Sequence, residues 1–477
     1  MDKVLVSGVK KPVRMISGVT VVAVMSKPFP CPHGRCMYCP GGVDIGTPQS
    51  YLEDSPAVMR ALQYNFDPYD QVRGRLLQYV AMGHKPSKIE LIVMGGTFPA
   101  MPRDYQEWFI ANALEAMNRF PRKKLKEPTL EKAQFKNEKA GIRCIGLTLE
   151  TRPDWSKEKH VDWFLHLGAT RIELGVQTVY DDILLKIDRG HTVKDSVEAT
   201  RILKDAGYKV VYHLMPGLPG SDPDRDFEMF KEVFENPQYR PDMLKIYPTL
   251  VIPGTKLYEK WRESCYRSYS IDVWIELLAK IKSIIPKYVR IMRIQRDLPL
   301  HHIVDGPRIG NLRQVVQEYM KKRGMRCKCI RCREVGHYML KIDAKHRGKL
   351  RLEKIVYEAS GGTEVFLSYV DDLDLIYGFL RLRIPSEHAH RWEVNDKTAI
   401  IRELHVYGPQ VPVGEFYQYS WQHKGLGKNL MLEAERIAVE EFDKRKILVI
   451  SGIGVREYYR KLGYRRHKNS FYMVKYI

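Results

Sequence analysis

Along the first half of the chain, short apolar runs alternate with longer segments in which apolar residues recur at helical spacing. Short runs rich in Val, Ile and Leu are typical of strands buried in a parallel sheet, and they lie at 88–96, 142–150, 171–177, 209–217 and 242–249. Segments with helical spacing and polar faces separate them, at 156–167, 193–206 and 223–235. Repeated strand–helix units predict an α/β fold whose parallel sheet is closed or partly closed into a barrel.

Two segments interrupt this pattern. Residues 121–139 combine proline with dense charge, which predicts an exposed, mobile insertion. Near residue 300 the strand–helix rhythm stops, and a basic helix-like run leads into RGMRCKCIRCREVGHY. Both features indicate that the barrel pattern does not extend over the whole chain.

The last part of the chain has a different period. Alternating stretches from about residue 338 predict an antiparallel sheet, followed by a glycine loop, a long helix over about 427–442, a strand, and a short helix at 455–462. We therefore predict three parts: a first domain at 1–300, a basic linker at 301–337 and a second domain at 338–477.

Composition and charge limit the setting. Eight clustered cysteines, with no signal peptide and no long apolar run, argue against a secreted disulfide scaffold or a membrane protein and favour the reducing cytoplasm. The net charge of +21 is typical of a protein with a polyanionic partner. Positive charge is concentrated at 321–333, 345–354 and 456–468, which favours folded RNA over a lipid surface because no strongly amphipathic basic helix is present.

The sequence CPHGRCMYCPGG contains Cys31, Cys36 and Cys39. Three thiolates this close can hold three irons of a 4Fe–4S cluster and leave the fourth iron open. An open iron can bind S-adenosylmethionine, whose reductive cleavage gives a radical that takes hydrogen from unactivated carbon. Structural zinc is the alternative, although it normally needs four closed ligands.

Small and charged residues follow the predicted strands, where parallel-barrel folds place their chemistry. Glycines in GGTF allow backbone to grip the amino-acid part of a ligand, and the residues of TLETRPD suit a ribose and a carboxylate. A glycine pair after a strand is commonly only a turn, but here it follows a three-cysteine loop. The predicted contacts to S-adenosylmethionine are Gly95, Gly96, Thr97, Glu150, Arg152 and Gln177.

At this point the chain resembles the radical S-adenosylmethionine superfamily, although its loop reads C-x4-C-x2-C where C-x3-C-x2-C is usual. The motifs CPHG, ELIVMGGTF, ETRPD, RIELGVQTVYDDIL, RGHTV and LKIYPTLVIPGT further resemble the catalytic subunits of Elongator. The resemblance implies a partial (β/α) barrel and an acetyl-CoA contact at Lys88, a position where lysine is often only solvated. Many members have a longer basic extension before Cys31, so we expect reduced RNA affinity here.

The segment QHKGLGKNLMLEAERIA begins a helix with a glycine loop. Its free N–H groups and the helix dipole favour a pyrophosphate. The element order is that of a GNAT-type acetyltransferase, in which a splayed strand holds pantetheine through its backbone. The predicted acetyl-CoA contacts are Gln422, Gly425, Leu426, Gly427 and Lys428 in the loop, and Glu403, Leu404, His405 and Val406 in the strand.

Two adjacent tyrosines, Tyr458 and Tyr459, occur in REYYRKLGY. In acetyltransferases of this type a tyrosine here protonates the departing CoA thiolate. We expect one ring to face CoA and the other to pack in the core, with Tyr459 preferred at the cofactor. RELHVYGPQVPVG, QHKGLG and YYRKLGYR also resemble Elongator catalytic subunits, so the resemblance covers nearly the whole chain.

The linker contains a second cysteine trio, Cys327, Cys329 and Cys332, with the spacing C-x-C-x2-C. Three soft ligands this close favour structural zinc, while a second iron–sulfur cluster and an unmetallated trio are the alternatives. The resemblance implies zinc, as in archaeal members. Proposed fourth ligands are His337, Cys144 and Cys265.

The resemblance implies a tRNA-modifying acyltransferase. The radical would activate the acetyl group of acetyl-CoA for addition to carbon 5 of the wobble uridine, giving 5-carboxymethyluridine. Its partner would be the anticodon stem-loop of tRNA, and the sequence leaves open accessory subunits and self-association. The alternatives are a protein lysine acetyltransferase with a structural iron–sulfur domain and a non-catalytic RNA-binding subunit.

Overall fold

The computed structural model describes residues 16–339, 349–408, 425–467 and 469–477. The strands are β1 (Thr20–Met25), β2 (Lys88–Met94), β3 (Arg143–Thr151), β4 (Arg171–Gln177), β5 (Lys209–Leu214), β6 (Met243–Ile246), β7 (Arg290–Ile294), β8 (Arg351–Ala359), β9 (Gly362–Val370), β10 (Ile376–Ile384), β11 (Thr398–Val406), β12 (Lys446–Val449), β13 (Arg465–Arg466) and β14 (Met473–Tyr476).

The helices connect and cover these strands. They are α1 (Pro56–Gln63), α2 (Pro68–Ala81), α3 (Arg103–Arg119), α4 (Leu130–Asn137), α5 (Glu158–Leu167), α6 (Asp181–Lys186), α7 (Val193–Asp205), α8 (Pro223–Glu235), α9 (Lys256–Arg262), α10 (Ile271–Ile284), α11 (Leu312–Lys322), α12 (Ile330–Arg333), α13 (Val335–Met339), α14 (Leu426–Glu440) and α15 (Arg456–Lys461). Short 3-10 helices occur at Val43–Ile45, Phe98–Ala100, Pro153–Trp155, Leu300–His302 and Ile453–Val455.

The first seven strands form one parallel sheet in chain order, from β1 to β7. Within the described residues β7 does not pair with β1, so the barrel is partial, as predicted. Helices α2, α3 and α7 pack on its outer face, because their apolar stripes face the sheet. Every predicted strand and helix of this half is present, with ends shifted by a few residues.

The inner face of this sheet is not apolar. Inward positions of β4 alternate as Arg171, Glu173, Gly175 and Gln177, and all of them line a central cavity of about 470 Å³. Interiors of closed barrels are normally filled by branched apolar side chains. Here charged and small residues leave an open lumen, which runs between the two ends of the strands.

The prediction of an exposed insertion at 121–139 is wrong for its second half. Helix α4 starts at its N-cap Thr129 and buries Leu130 and Ala133 against α3. Glu138 is also buried and accepts a hydrogen bond from Arg456 of the second domain at 2.9 Å. A short apolar stripe is hidden among the lysines of this segment, and burial of that stripe orders the chain.

The linker packs on the barrel. Leu312, Val316 and Met320 recur every four residues along α11 and are buried against α10. The basic residues at its end, Lys321 and Lys322, are exposed.

The second sheet contains β8 to β14 in the order β13-β14-β12-β11-β10-β9-β8. Strands β8 to β11 pair antiparallel with their sequence neighbours, whereas β11 and β12 pair in parallel. Helix α14 crosses β9, β10 and β11 and buries the predicted face, Leu430, Ala434, Ile437 and Ala438. The antiparallel sheet predicted for this part is confirmed for β8 to β11, and the parallel pairing of β12 makes the whole sheet mixed.

Buried ion pairs join the two sheets. Arg402 donates to both oxygens of Asp242, at 2.8 and 2.6 Å, and to Glu364 at 2.8 Å. Arg383 donates to Asp205 on α7 at 2.7 Å. Because a buried charge without its partner is strongly unfavourable, these pairs fix how β11 sits against the barrel.

No helix among the described residues combines the length and apolar character needed to cross a membrane.

Candidate active site

The loop after β1 places Cys31, Cys36 and Cys39 along one side of the lumen, at the C-terminal ends of the strands. The Cys31 sulfur lies 3.7 Å from Thr97 Oγ1, which follows β2. The three sulfurs do not all lie within 4.8 Å of one another, unlike the possible ligand atoms of three other groups among the described residues. The wider spacing suits a multi-iron cluster better than a single ion.

An arginine and a histidine contact the Cys36 sulfur. Arg189 is buried and points Nη1 at the Cys36 sulfur, 3.5 Å away, and the His33 Nε2 lies 3.1 Å from the same sulfur. Burial and the neighbouring Cys36 raise the pKa of the Cys39 thiol to about 11. A metal centre would reverse this preference because it binds thiolates. Arg189 lies in the RGHTV motif, but its contact with the cysteine loop was not predicted.

The glycines after β2 adopt conformations that other residues rarely reach. Gly95 and Gly96 have φ of 137° and 87°, and a side chain on Gly95 would collide with Ser26. A Cβ on Gly96 would lie 3.7 Å from the Cys31 sulfur. This stretch therefore brings bare backbone next to the cysteine loop, as a ligand held by its amino-acid part requires.

Polar side chains after β3 and β4 face the same space. Arg152 donates to Asp154 at 2.9 Å and to the Gly190 carbonyl at 2.8 Å, while its buried Nη1 has no partner among the described residues. Gln177 has φ of 71°, and its buried Oε1 likewise has no partner in the described part of the chain. Buried polar atoms are normally paired, so these two atoms fit a ligand with complementary groups.

Glu150 also lines the lumen, between Arg152 and the middle of the cavity. It accepts a hydrogen bond from the Tyr51 hydroxyl at 3.0 Å and lies 3.6 Å from the Lys245 ammonium. The six predicted S-adenosylmethionine contacts thus line the lumen or, for Gly95, its immediate edge. The residues present fit a 4Fe–4S cluster with S-adenosylmethionine.

A charged group at the middle of the lumen was missed by the sequence analysis. Glu173 accepts a hydrogen bond from His213 at 2.8 Å and pairs closely with Lys245. Although burial opposes it, the Lys245 ammonium lowers the pKa of Glu173 below its ordinary value. The sequence contained a signal for this group, because polar residues recur at every second position of β4.

The second domain closes the opposite end of the lumen with β11. Pairing between β11 and β12 stops at Ile401, whereas pairing between β11 and β10 continues to Val406. Among the described residues, β12 therefore leaves one backbone edge of Glu403, Leu404 and His405 uncovered, the splayed geometry that can accept another chain as a strand would. This edge follows a β-bulge at Arg402, which the Asp242 pair holds in place.

Helix α14 starts beside this edge. Its N-cap Gly425 has φ of 86°, and the first turn, with Leu426, Gly427 and Lys428, contains no acidic residue. A Cβ on Gly427 would lie 2.9 Å from the Tyr458 hydroxyl, so a side chain there would displace the tyrosine ring. The backbone N–H groups of this first turn lack helical partners, which makes the N-terminus of α14 a suitable place for an anion. Gln422 lies outside the described residues.

The two tyrosines of α15 lie in different surroundings. Tyr459 is 6% exposed and packs against Tyr464, whereas Tyr458 is 37% exposed and directs its hydroxyl toward Gly427. Both line a cavity of about 170 Å³ beside the splayed edge. Burial raises the pKa of Tyr458 to about 12, so its phenol retains the proton at neutral pH. The geometry favours Tyr458 over Tyr459 beside the loop.

Lys88 is half-buried at the first position of β2. It lines neither of the two cavities described above. Burial lowers the pKa of its ammonium to about 8.

The two cavities are neighbours. Val19, Glu90, Glu403 and His405 line both of them. Alternate side chains of β11 explain this arrangement, because Glu403, His405 and Tyr407 face the lumen while Leu404 and Val406 face the start of α14. A single strand thus borders the cysteine-loop cavity with one face and the glycine-loop site with the other.

The second cysteine trio lies outside the lumen. The sulfurs of Cys327, Cys329 and Cys332 are within 4.8 Å of one another, and the Lys282 ammonium lies 3.8 Å from the Cys332 sulfur. Among the described residues no fourth cysteine, histidine or carboxylate joins this group. His337 faces the lumen, Cys144 is buried in β3 and Cys265 is exposed, so none of the three proposed fourth ligands is brought to the trio.

Only some side chains of the basic runs at 321–333, 345–354 and 456–468 are exposed to solvent. Arg333 is buried against Asp374 at 3.0 Å, and Arg456 is buried against Glu138. Lys321, Lys322 and Arg323 remain exposed. Residues 345–348 and 468 of the other two runs lie outside the described residues.

Comparisons with known proteins agree with this arrangement. The radical SAM superfamily model matches residues 28–233, and the Radical_SAM C-terminal domain model matches 241–322. The tRNA uridine(34) acetyltransferase of Methanocaldococcus jannaschii is 54% identical over 98% of this chain and 86% of its own length. The human Elongator complex protein 3 is 46% identical over 100% of this chain and 87% of its own length. The solved structure of archaeal Methanocaldococcus infernus Elp3, without its N-terminal residues 1–46, superposes with a TM-score of 0.83 at 50% identity, covering 97% of this chain and 100% of that one.

Proposed function

Because the chain belongs to the Elongator complex protein 3 family of radical S-adenosylmethionine enzymes, we propose that it modifies the wobble uridine of tRNA as an acyltransferase. The product is 5-carboxymethyluridine, and acetyl-CoA supplies the added group. The observation that carries this proposal is the position of β11, which borders both the lumen with the cysteine loop and the cavity with the tyrosines.

At the radical end, Cys31, Cys36 and Cys39 hold a 4Fe–4S cluster. Bound there, the cluster and S-adenosylmethionine would supply one electron and a 5′-deoxyadenosyl radical able to take a hydrogen atom from the acetyl methyl group; when that carbon joins carbon 5 of the uracil, the carbon 5 proton leaves and one electron returns to the cluster. Arg189 and His33 offset the charge of the thiolates. Arg152 and Gln177 orient the ligand through the atoms that the protein itself leaves unpaired.

At the acyl end, the splayed segment of β11 from Glu403 to Val406 holds the pantetheine arm by backbone hydrogen bonds. The N-terminus of α14 binds the pyrophosphate through the N–H groups that follow Gly425. Tyr458 donates its proton to the CoA thiolate when the thioester is hydrolysed, because its phenol is neutral and lies beside the glycine loop. The resemblance to Elongator catalytic subunits extends the acetyl-CoA contacts to Lys88, which lies outside both cavities and would contact CoA beyond them.

The linker supports this assembly. Cys327, Cys329 and Cys332 hold zinc, and Lys282 offsets the negative charge that three thiolates leave on a divalent ion. We divide the chain at 1–300, 301–337 and 338–477 on this basis. Metal analysis should find zinc lost in Cys329→Ser but kept in Cys36→Ser.

The tRNA partner binds through its anticodon stem-loop. Lys321, Lys322 and Arg323 form an exposed basic stretch, which favours a phosphate backbone and predicts salt-dependent binding. Phosphate contacts position the RNA, while the lumen receives the extruded base. Accessory subunits and self-association are further partners to be tested by mass measurement of the complex.

The experiment that tests the proposal is anaerobic. The reconstituted enzyme is incubated with dithionite, S-adenosylmethionine, acetyl-CoA and tRNA, and digested nucleosides are analysed by mass spectrometry. Carboxymethyluridine that disappears when either small molecule is omitted supports the coupled reaction. Acetyl transfer to protein lysines without S-adenosylmethionine would support a lysine acetyltransferase instead.

A further inference from the structure

We propose that Gly146 forms a throat between the two cavities, through which the acetyl end of acetyl-CoA reaches the barrel lumen. The substrate arm enters at the N-terminal ends of the strands, opposite the cysteine loop. The absence of a side chain at Gly146 is then a requirement of the coupled reaction. This inference rests on the proposed function.

The position of Gly146 follows from an irregularity in β3. The pairing of β2 with β3 shifts register so that Ile89 pairs with Cys144 and Glu90 pairs with Gly146, which leaves Ile145 as a bulge. Gly452 of the second domain packs so closely on the Ile145 carbonyl that a Cβ there would collide with it. Ile145, Gly146 and Gly452 all line the smaller cavity. The bulge is therefore where the second domain docks, a common position for bulges beside active sites.

Neither backbone conformation nor packing requires glycine at position 146. Its φ lies outside the left-handed region that favours glycine. A Cβ would lie 3.6 Å from Thr170 Oγ1 and 3.8 Å from Glu90 Cγ, which are ordinary contact distances. By contrast, a Cβ on the lumen residue Gly175 would collide with Arg189. At Gly146 the missing side chain leaves free space beside Glu90, a residue that borders both cavities.

The rim of the throat is held in place by ion pairs. Glu90 pairs with Arg171, and Glu403 accepts a hydrogen bond from Arg381 at 2.8 Å. The His405 Nε2 donates to the Ser17 carbonyl at 2.9 Å, and burial lowers the pKa of its imidazole, so the ring is neutral at pH 7. Glu90 and Glu403 are neutralised by these arginines, so phosphates are drawn to the N–H groups at the start of α14, and the throat is left to the uncharged amide and thioester. The occupant is therefore the pantetheine arm with its acetyl group, while the phosphates stay at α14.

The test fills the throat in steps, with Gly146→Ala, Gly146→Val and Gly146→Leu. The matched control is Gly141→Leu, at an exposed position where an added Cβ would have no heavy atom within 4 Å. Each full-length enzyme is given trideuteroacetyl-CoA, S-adenosylmethionine and tRNA without oxygen. Deuterium in 5′-deoxyadenosine reports that the acetyl methyl group reached the radical.

We expect deuterium transfer and carboxymethyluridine to fall with side-chain size, by about 10²-fold in Gly146→Leu, because a displaced acetyl group is out of reach. Acetyl-CoA affinity, iron–sulfur absorbance and unlabelled 5′-deoxyadenosine should stay close to wild type. Full deuterium transfer in the folded Val or Leu variant overturns the throat. Absence of deuterium transfer in the wild type instead contradicts the proposed function, and the throat with it.

Discussion

The cluster end of the lumen takes its ligand groups from loops that follow strands of one sheet, whereas the acyl end takes them from a second sheet docked against the first. Cys31, Gly96 and Gln177 are held by the strands they follow. Glu403 and His405 reach the lumen only because the Arg402–Asp242 and Arg402–Glu364 pairs hold β11 there.

The two ends of the lumen therefore depend differently on how the second sheet docks against the first. The radical end is organised by the barrel alone, so it should persist when the domains move apart. The acyl end requires correct docking, since its splayed edge, its glycine loop and the throat meet only at the interface. Each end can therefore be disabled while the other is monitored.

The largest effect is expected when the cluster end is broken. Cys36→Ser should abolish 5′-deoxyadenosine formation and tRNA modification, because the cluster loses one of its three protein ligands. Acetyl-CoA binding, measured by calorimetry, should remain near the wild-type value. Cys265→Ser is the matched control, since Cys265 is exposed. Retention of 5′-deoxyadenosine in Cys36→Ser would remove this cysteine from the cluster.

Breaking the docking should come next. Arg402→Met leaves Asp242 and Glu364 buried without their main partner, which costs about 3–5 kcal/mol of unfolding free energy. We expect a lower melting temperature and loss of acetyl-CoA binding, with the iron–sulfur absorbance kept. Arg436→Ala, which removes only exposed ion pairs, should change little.

The same pair predicts a pH dependence. Although burial opposes it, Arg402 and Lys204 lower the pKa of Asp242 below its unfolded value. The stability from this group is present above the unfolded pKa, near 3.9, and is lost as pH falls toward the folded value. The wild type should therefore lose stability in acid more steeply than Arg402→Met. Equal acid sensitivity of the two proteins would contradict this role.

A smaller effect should separate the two tyrosines. Tyr458→Phe should slow CoA release by about 10²-fold, because the thiolate leaves without a proton donor, while acetyl-CoA affinity changes little. Tyr459→Phe serves as the control, since that ring packs in the core. Steady-state CoA release measures both. The reverse ranking would restore the sequence-based preference for Tyr459.

The smallest effect concerns Lys88. Its pKa of about 8 means that its charge is lost as pH rises from about 7 to 9, where an ordinary lysine stays protonated. Acetyl-CoA affinity should therefore fall several-fold over this range in the wild type and remain flatter in Lys88→Met. Parallel pH profiles for the two proteins would remove Lys88 from the binding site.

Sequence patterns predicted the helices and strands better than the tertiary contacts between them. Local rules placed five of the seven barrel strands, β2 to β6, together with the start of α14 and the residues that follow β2 and β3, but they did not mark β1 or β7. They missed the polar lumen, because Arg171 and Glu173 lie in a run whose other residues are those of a buried strand. They also missed the Asp242–Arg402 contact, since 160 residues separate its partners and no local pattern encodes such a pairing. In 121–139 the surrounding lysines concealed a short buried stripe.

We expect both carbons added to the wobble uridine to come from acetyl-CoA and to arrive through radical chemistry in one chain. Acetyl-CoA labelled with carbon-13 at both acetyl carbons is supplied together with S-adenosylmethionine and tRNA under anaerobic conditions, and the mass of the modified nucleoside is determined. Carboxymethyluridine should contain both labelled carbons in the wild type, and none should form in Cys36→Ser. An unlabelled product, or a labelled product that forms equally well in Cys36→Ser, would overturn the proposed function.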